Sequence, residues 1–341
     1  MPPPQNMSGN MPDPRPILDL ANAFFGSCVL FVASDIGIFK RLSEKDGLDA
    51  ATLAQDLNAS PRGLQLLLDA CVAEGLLTKT GNAYSNAPAT RVFLVPGSLA
   101  DLSTAIRYNR DIYGAWGKLA ELAKTGKPVE RPEIHLGEDE QRTRTFVMSM
   151  HGRAMGIGRG VIPLLDLAGR KKLLDVGGGP GTFSVLISQA FPEIHCTVLD
   201  LPEVVKVAAE LIEKQGASAR VKVLAGDYHT TPFPGELDAV NFFGMLHQES
   251  PDDIRKLARK AFEVLKPGGI VHVMDMMTDH THTAPQFSAL FAVTMALTTE
   301  NGWVFSSEEL KGWLEEAGFV NFEVGPLPAP LPHWLAKARK P

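Results

Sequence analysis

The sequence is poor in the features that would set it apart from ordinary globular chains. Its three cysteines in 341 residues, Cys28, Cys71 and Cys196, are too few and too scattered for a disulfide framework or a zinc cluster. Each lies in an apolar run, where cysteine packs as a small hydrophobe, and a reducing cytoplasm is the expected setting. Basic charge is in deficit: 33 Lys and Arg against 39 Asp and Glu leave a net charge of −6, which argues against a life on nucleic acid or on an anionic membrane. The first fifteen or so residues lack a charged-then-apolar signal pattern and read as a flexible arm. The apolar stretch 17–39 is broken by Asp19, Asn22, Asp35 and glycines, so buried helices are expected there and not a membrane span. No internal repeat is present. With 45% hydrophobic residues the chain has enough apolar surface for a full core and is expected to form two domains.

The most informative stretch is Leu173-Leu-Asp-Val-Gly-Gly-Gly-Pro-Gly-Thr-Phe183, an apolar strand running into glycines and then into a helix. Such a turn lets the backbone approach a ligand closely, and Asp200, closing the next apolar run, stands where an acid grips ribose hydroxyls. A dinucleotide fingerprint needs a third small residue three places after Gly179, and that place holds Thr182. The glycines fall instead at Gly177, Gly179 and Gly181, with Pro180 stiffening the turn. This spacing points to a nucleoside ligand without a pyrophosphate to seat.

Before this stretch, residues 48–84 read as helix, turn, helix and a short ribbon around Gly81-Asn82, the pattern of a winged helix, with Ser60-Pro61 starting the second helix. The helix that would enter a DNA groove carries Arg62 but also Asp69 and Glu74, so the attraction to phosphate that dominates DNA affinity is missing. Residues 99–167 read as helices broken by a proline loop at 127–132. From 171 onward strands and helices alternate, with strands expected near 171–176, 196–201, 221–226, 238–246 and 269–276, and two late strands near 319–325 and 333–339. Alternation predicts a parallel sheet covered on both faces, and the short Pro-rich link between the last two strands predicts an antiparallel pair at one edge.

Taken together, Gly75-Leu-Leu77, Leu174-Asp-Val-Gly-Gly-Gly-Pro-Gly181, Asp200-Leu-Pro202, Gly226-Asp227-Tyr228, a histidine after the fourth strand and Leu265-Lys-Pro-Gly-Gly269 resemble the S-adenosylmethionine-dependent O-methyltransferases of the dimeric, plant-caffeate and bacterial-polyketide type. The resemblance covers nearly the whole chain. It implies an α/β fold, a Rossmann-like class I methyltransferase sheet with a C-terminal antiparallel pair, behind an N-terminal all-α or winged-helix dimerisation domain. The expected division is an arm at 1–15, a dimerisation domain at 16–98, a helical connector lining the acceptor pocket at 99–167 and a catalytic domain at 168–341. The expected partners are a hydroxylated small molecule and a second copy of the chain, with no nucleic acid, membrane or metal.

Carried over by this resemblance, the cofactor S-adenosylmethionine contacts Gly177, Gly179, Asp200, Leu201, Gly226, Asp227, Tyr228 and Phe243, and His247 is the general base with Asp275 as its acidic partner. A phenol with a pKa near 10 is a poor nucleophile at neutral pH until an imidazole takes its proton. Phe146, Met150, Phe287, Phe291, Met295 and Trp303 are the expected acceptor pocket, and their bulk implies an apolar or aromatic acceptor. The chain departs from its relatives in having His247-Gln248-Glu249 where His-Asp-Trp is usual, Phe243 where a basic residue is frequent, and Val304 where a second acid is expected. These losses leave open a relative that binds the cofactor and catalyses a hydroxylation, decarboxylation or pericyclic step. A winged-helix regulator that senses the nucleoside is the reading outside enzymes.

Overall fold

The computed structural model describes residues 12–98, 100–130 and 137–341, apart from the side chains of Thr104 and Ala105. Most of the expected arm and the end of the proline loop lie outside the described residues. The chain divides into two compact units, Met1–Ile106 and Arg107–Pro341.

The first unit is mostly helical. Helices Arg15–Asn22, Phe24–Asp35 and Ile38–Glu44 precede β1 (Leu48–Asp49), helices Ala50–Asp56 and Pro61–Ala73, and a ribbon of β2 (Leu77–Thr80) and β3 (Ala83–Asn86). The two middle helices start on side-chain caps: Asp49 accepts from the Thr52 amide at 2.7 Å and Ser60 from Gly63 at 3.4 Å. Asp69, which weakened the DNA reading, ties the ribbon to the helix by accepting from Lys79 and from the Tyr84 hydroxyl, both at 2.7 Å. Ile38, Phe39, Leu42, Leu53, Leu64 and Leu68 form the core of this unit.

The first two helices correct one expectation. Within the single chain the first helix and the start of the second are not buried: Ile17 is 75% exposed, Leu20 76% and Phe25 56%. The span Arg15–Asp35 is long and apolar enough, by length and composition alone, to cross a membrane. Its first helix buries no residue, whereas Val29, Leu30 and Ala33 farther along the second pack on the core of their own unit.

The second unit is built on a sheet of seven strands, β4 (Lys172–Val176), β5 (His195–Asp200), β6 (Val221–Ala225), β7 (Leu237–Phe243), β8 (Leu265–Asp275), β9 (Val320–Pro326) and β10 (Trp334–Arg339), in the order β6-β5-β4-β7-β8-β10-β9. Strands β4 to β8 run parallel, and β10 pairs antiparallel with both β8 and β9. Side chains alternate across the pleat, so neighbours serve opposite faces: Leu174 and Val271 join one core, Leu173 and Ile270 the other. The helix Ser307–Glu316 opens with the capping box expected at Ser306 and Glu309.

Strand order reverses at β4, which lies between β5 and β7. In an open parallel sheet the ligand crevice forms beyond the carboxyl ends of the strands at such a reversal. β7 ends at Phe243, earlier than expected, because Gly244 turns the chain with φ +66° and a single helical turn, Leu246–Gln248, follows. His247 therefore stands on a short turn above the strand, not on the strand itself.

Candidate active site

A cavity of about 1070 Å³ opens at this reversal, larger than the pocket of a single drug-sized molecule and roomy enough for two ligands side by side. Its floor is the glycine turn. Gly177 and Gly179 take φ of +61° and +53°, values that L side chains rarely adopt, and a Cβ on Gly178 would stand 2.9 Å from Asp175 and Val198. A Cβ on Gly179 would meet nothing within 4 Å, so this backbone faces the open cavity.

Asp200, the last residue of β5, accepts from the Gly179 amide at 2.7 Å through one oxygen and from the Leu201 amide at 2.8 Å through the other. A carboxylate has about four acceptor positions, so two remain for donors of a bound ligand. Burial pushes its pKa up to about 6 against the opposing effect of the two amides. Asp175 lies beneath the turn, fully buried, with one oxygen accepting from Ser184 at 2.7 Å and burial raising its pKa to about 7.

On the far side of this end, Asp227 accepts from the His229 amide at 2.8 Å and keeps capacity toward the cavity it lines. Tyr228 donates its hydroxyl to Glu249 at 2.6 Å, and Glu249 also meets His229 at 3.2 Å. Burial and this acid beside it raise the Tyr228 pKa, so the phenol stays protonated and acts as a donor. Glu249 thus braces the ring of Tyr228 from behind. Phe243 closes this end, edge-on to Phe183 at 5.3 Å between centroids.

At the middle of the cavity, His247 Nδ1 lies 2.6 Å from an oxygen of fully buried Asp275, and the other oxygen of the same carboxylate accepts from the His247 amide at 3.2 Å. One acid therefore fixes both the turn and the ring. The carboxylate needs a proton on Nδ1, which leaves Nε2 with its lone pair, the tautomer a base requires. Phe291 packs edge-on to the imidazole at 5.1 Å.

The remaining wall comes from two helices. Phe146, Met150, Arg153 and Ile157 of Glu140–Val161 are spaced four, three and four apart, which puts them on one face, and all line the cavity. Phe291 and Met295 of Gln286–Thr298 do so by the same spacing. Three of the expected site residues do not. Gly226 makes room for Thr231, whose hydroxyl would meet its Cβ, and fixes the turn that carries Asp227. Trp303 is a strut: its indole donates to the Glu249 carbonyl and its amide to the His247 carbonyl, both at 2.9 Å. Phe287 is half exposed and stacks parallel on the outer side of Phe291.

Sequence reasoning did not find His333, 6% exposed, one residue before β10. Trp334 pairs with Asp275, so the hairpin delivers this second imidazole to the cavity beside the His247–Asp275 pair, and its Nδ1 is buried with no partner among the described residues. Burial first, and the nearby Arg153 charge second, lower its pKa to about 4. Arg153 itself was also missed. Their only signals in the sequence were a polar residue in a helix face and a histidine after a run of prolines.

The comparisons with known proteins bear on the family and the fold. Residues 132–320 match the family model of the O-methyltransferase domain, and residues 18–96 that of the O-methyltransferase dimerisation domain. The chain is 30% identical over 313 residues to 3-hydroxy-5-methyl-1-naphthoate 3-O-methyltransferase of Streptomyces sahachiroi, covering 89% of each protein. It is 29% identical to the tetracenomycin polyketide synthesis 8-O-methyl transferase TcmO of Streptomyces glaucescens, over 96% of this chain and 97% of that one. The solved structure of human N-acetylserotonin methyltransferase in complex with S-adenosylmethionine superposes with a TM-score of 0.85 at 28% identity, over 98% of this chain and 99% of that one. The chain belongs to the S-adenosylmethionine-dependent O-methyltransferase family, with a family dimerisation domain followed by its catalytic domain.

Proposed function

We propose that this protein methylates a hydroxyl of an aromatic or polyketide-like small molecule, in bacterial-type secondary metabolism, with His247 as general base. The observation that carries the reading is the His247–Asp275 pair, held over one cavity with the glycine turn and Asp200. Bound S-adenosylmethionine supplies the electrophilic methyl group. The chain does the rest. Asp200 holds the ribose hydroxyls, Gly177 and Gly179 bring backbone against the methionine end, and Asp227, Tyr228, Leu201 and Phe243 enclose the adenine end. Gly226 acts behind them by shaping the turn of Asp227.

Phe146, Met150, Phe291 and Met295 exclude water and hold the ring of the acceptor flat, so that its hydroxyl reaches His247 Nε2. Asp275 positions that ring and stabilises the charge it gains on taking the proton. The first unit is a winged-helix module serving a homodimer, whose exposed helices Arg15–Asn22 and Phe24–Asp35 pack on a second copy in the cytoplasm. This places the apolar span of 15–35 in a protein interface and not in a lipid bilayer.

Incubation with methyl-labelled cofactor and a panel of hydroxylated naphthalenes and polyketide-like phenols tests the reading. Label is expected on an aryl hydroxyl oxygen. Cofactor binding without label transfer to any of them would overturn it in favour of the non-methylating chemistry left open above. Sedimentation at micromolar concentration tests the dimer, and a monomer there would overturn it.

A further inference from the structure

The cavity is lined by a cation, Arg153, that the proposed methyl transfer does not use. Arg153 projects from the same helix face as Phe146 and Met150, on a wall that is otherwise mostly apolar. Its guanidinium carbon sits 4.9 Å from the centroid of the Tyr108 ring, a cation–π contact that fixes its direction. Among the described residues it makes no ion pair. Of the acids that share the cavity, Asp275 is bonded to His247, Asp200 to the glycine turn, Asp111 to Arg110 and Asp227 to the His229 amide, and neither these nor Glu130 pairs with it.

Beside Arg153 stands His333, more than nine-tenths buried, with its Nδ1 lacking a partner among the described residues. Its depressed pKa, to about 4, means that it faces the cavity as a neutral imidazole. A buried hydrogen-bonding nitrogen left alone is costly, and a guanidinium presents a planar fork that matches a carboxylate. Neither group touches the turn that seats the nucleoside, and neither is bonded to His247.

We propose that Arg153 and His333 together form an anion-recognition site at the acceptor end of the cavity, and that the acceptor is an aromatic acid whose carboxylate pairs with Arg153 while His333 hydrogen-bonds it. This inference rests on the proposed methyl transfer only for calling the ligand the acceptor. The carboxylate anchors one end of the molecule and the apolar walls hold the ring, so the anion selects which hydroxyl faces His247.

The test separates binding from transfer. The probes are a hydroxynaphthoic acid, its carboxamide, and a naphthoic acid with no hydroxyl, each titrated calorimetrically into the full-length protein saturated with S-adenosylhomocysteine. The wild type is expected to bind both acids at least about tenfold more tightly than the amide. Arg153→Gln should weaken the acids by about tenfold to a hundredfold and leave the amide within about twofold. Arg153→Lys should recover part of the loss, since it keeps the charge without the fork. His333→Phe, which keeps the ring and removes the nitrogens, should weaken the acids by about threefold to tenfold with cofactor affinity unchanged. Equal affinity of wild type for acid and amide, or equal loss of both on Arg153→Gln, overturns the proposal. Tight, Arg153-dependent binding of the hydroxyl-free acid with no label transfer to any hydroxylated acid would support the anion site and sink the methyl-transfer reading instead.

Discussion

The two ends of the cavity are made in different ways. The end proposed for the nucleoside is made largely of main chain: a glycine turn, the Leu201 amide and the ends of parallel strands, with Asp200 tying them together. The acceptor end is made of side chains on two helices and one hairpin, Phe146, Met150, Arg153, Phe291, Met295 and His333. Backbone walls constrain residue type strictly, because a Cβ at Gly178 would collide with Asp175 and Val198. Side-chain walls constrain only size and polarity. One end of the cavity is therefore fixed by the fold, and the other is free to follow the acceptor.

His247 and Asp275 stand at the border, and their removal gives the largest expected effects. His247→Ala should cut turnover by about two orders of magnitude or more with little change in cofactor affinity. Unchanged turnover would move the base elsewhere and dissolve the border. Asp275→Asn keeps a hydrogen bond to the ring but removes the charge and lets the wrong tautomer form. It is expected to lower kcat by about tenfold or more with the acceptor KM nearly unchanged, and a loss confined to KM would show that Asp275 shapes the pocket and not the base.

This difference between the ends also decides what was legible in the sequence. The alternation of strands and helices, the glycine turn, the place of Asp200 at a strand end and the capping box at Ser306 could be read because each is a local rule tied to backbone geometry. His247 could be placed near the end of β7, but its helical turn could not, since Gly244 ends the strand early. Phe287 and Trp303 had the right bulk and nearly the right spacing, yet one faces solvent and the other braces the His247 turn. His333 was invisible because its position depends on the register of β10 against β8, a pairing set by tertiary contacts far apart in the chain.

At the nucleoside end, Asp200→Ala should weaken cofactor binding by about tenfold or more without altering acceptor affinity. Wild-type affinity in a calorimetric titration would refute the ribose assignment. A milder effect comes from pH. With its pKa raised to about 6, Asp200 gains a proton as pH falls through that value and loses part of its capacity to accept hydroxyl hydrogen bonds. Cofactor affinity in the wild type should then decline below about pH 6, and a flat profile from pH 5 to 8 would argue that the carboxylate is not engaged.

The smallest expected effect is on stability, and there the two ends have opposite signs. Asp200 has a folded pKa of about 6, above its ordinary 3.8, so the folded protein binds more protons than the unfolded chain between these values. Stability from this group is lost as pH rises through that window. His333 has a folded pKa of about 4, below the ordinary 6.5, so here the unfolded chain binds more protons and stability is lost as pH falls through 6.5 toward 4. In the cofactor-free protein, Asp200→Asn should raise the melting temperature by a few degrees at pH 7 to 8 and much less near pH 4. His333→Phe should raise it relative to wild type at pH 4 to 5 and change it less at pH 7. If both variants shift the melting temperature equally at every pH, then packing and not ionisation governs both sites. If each moves only its own limb, each end of the cavity holds a polar group at some cost to the fold, as expected where that group waits for a ligand to complete its hydrogen bonds.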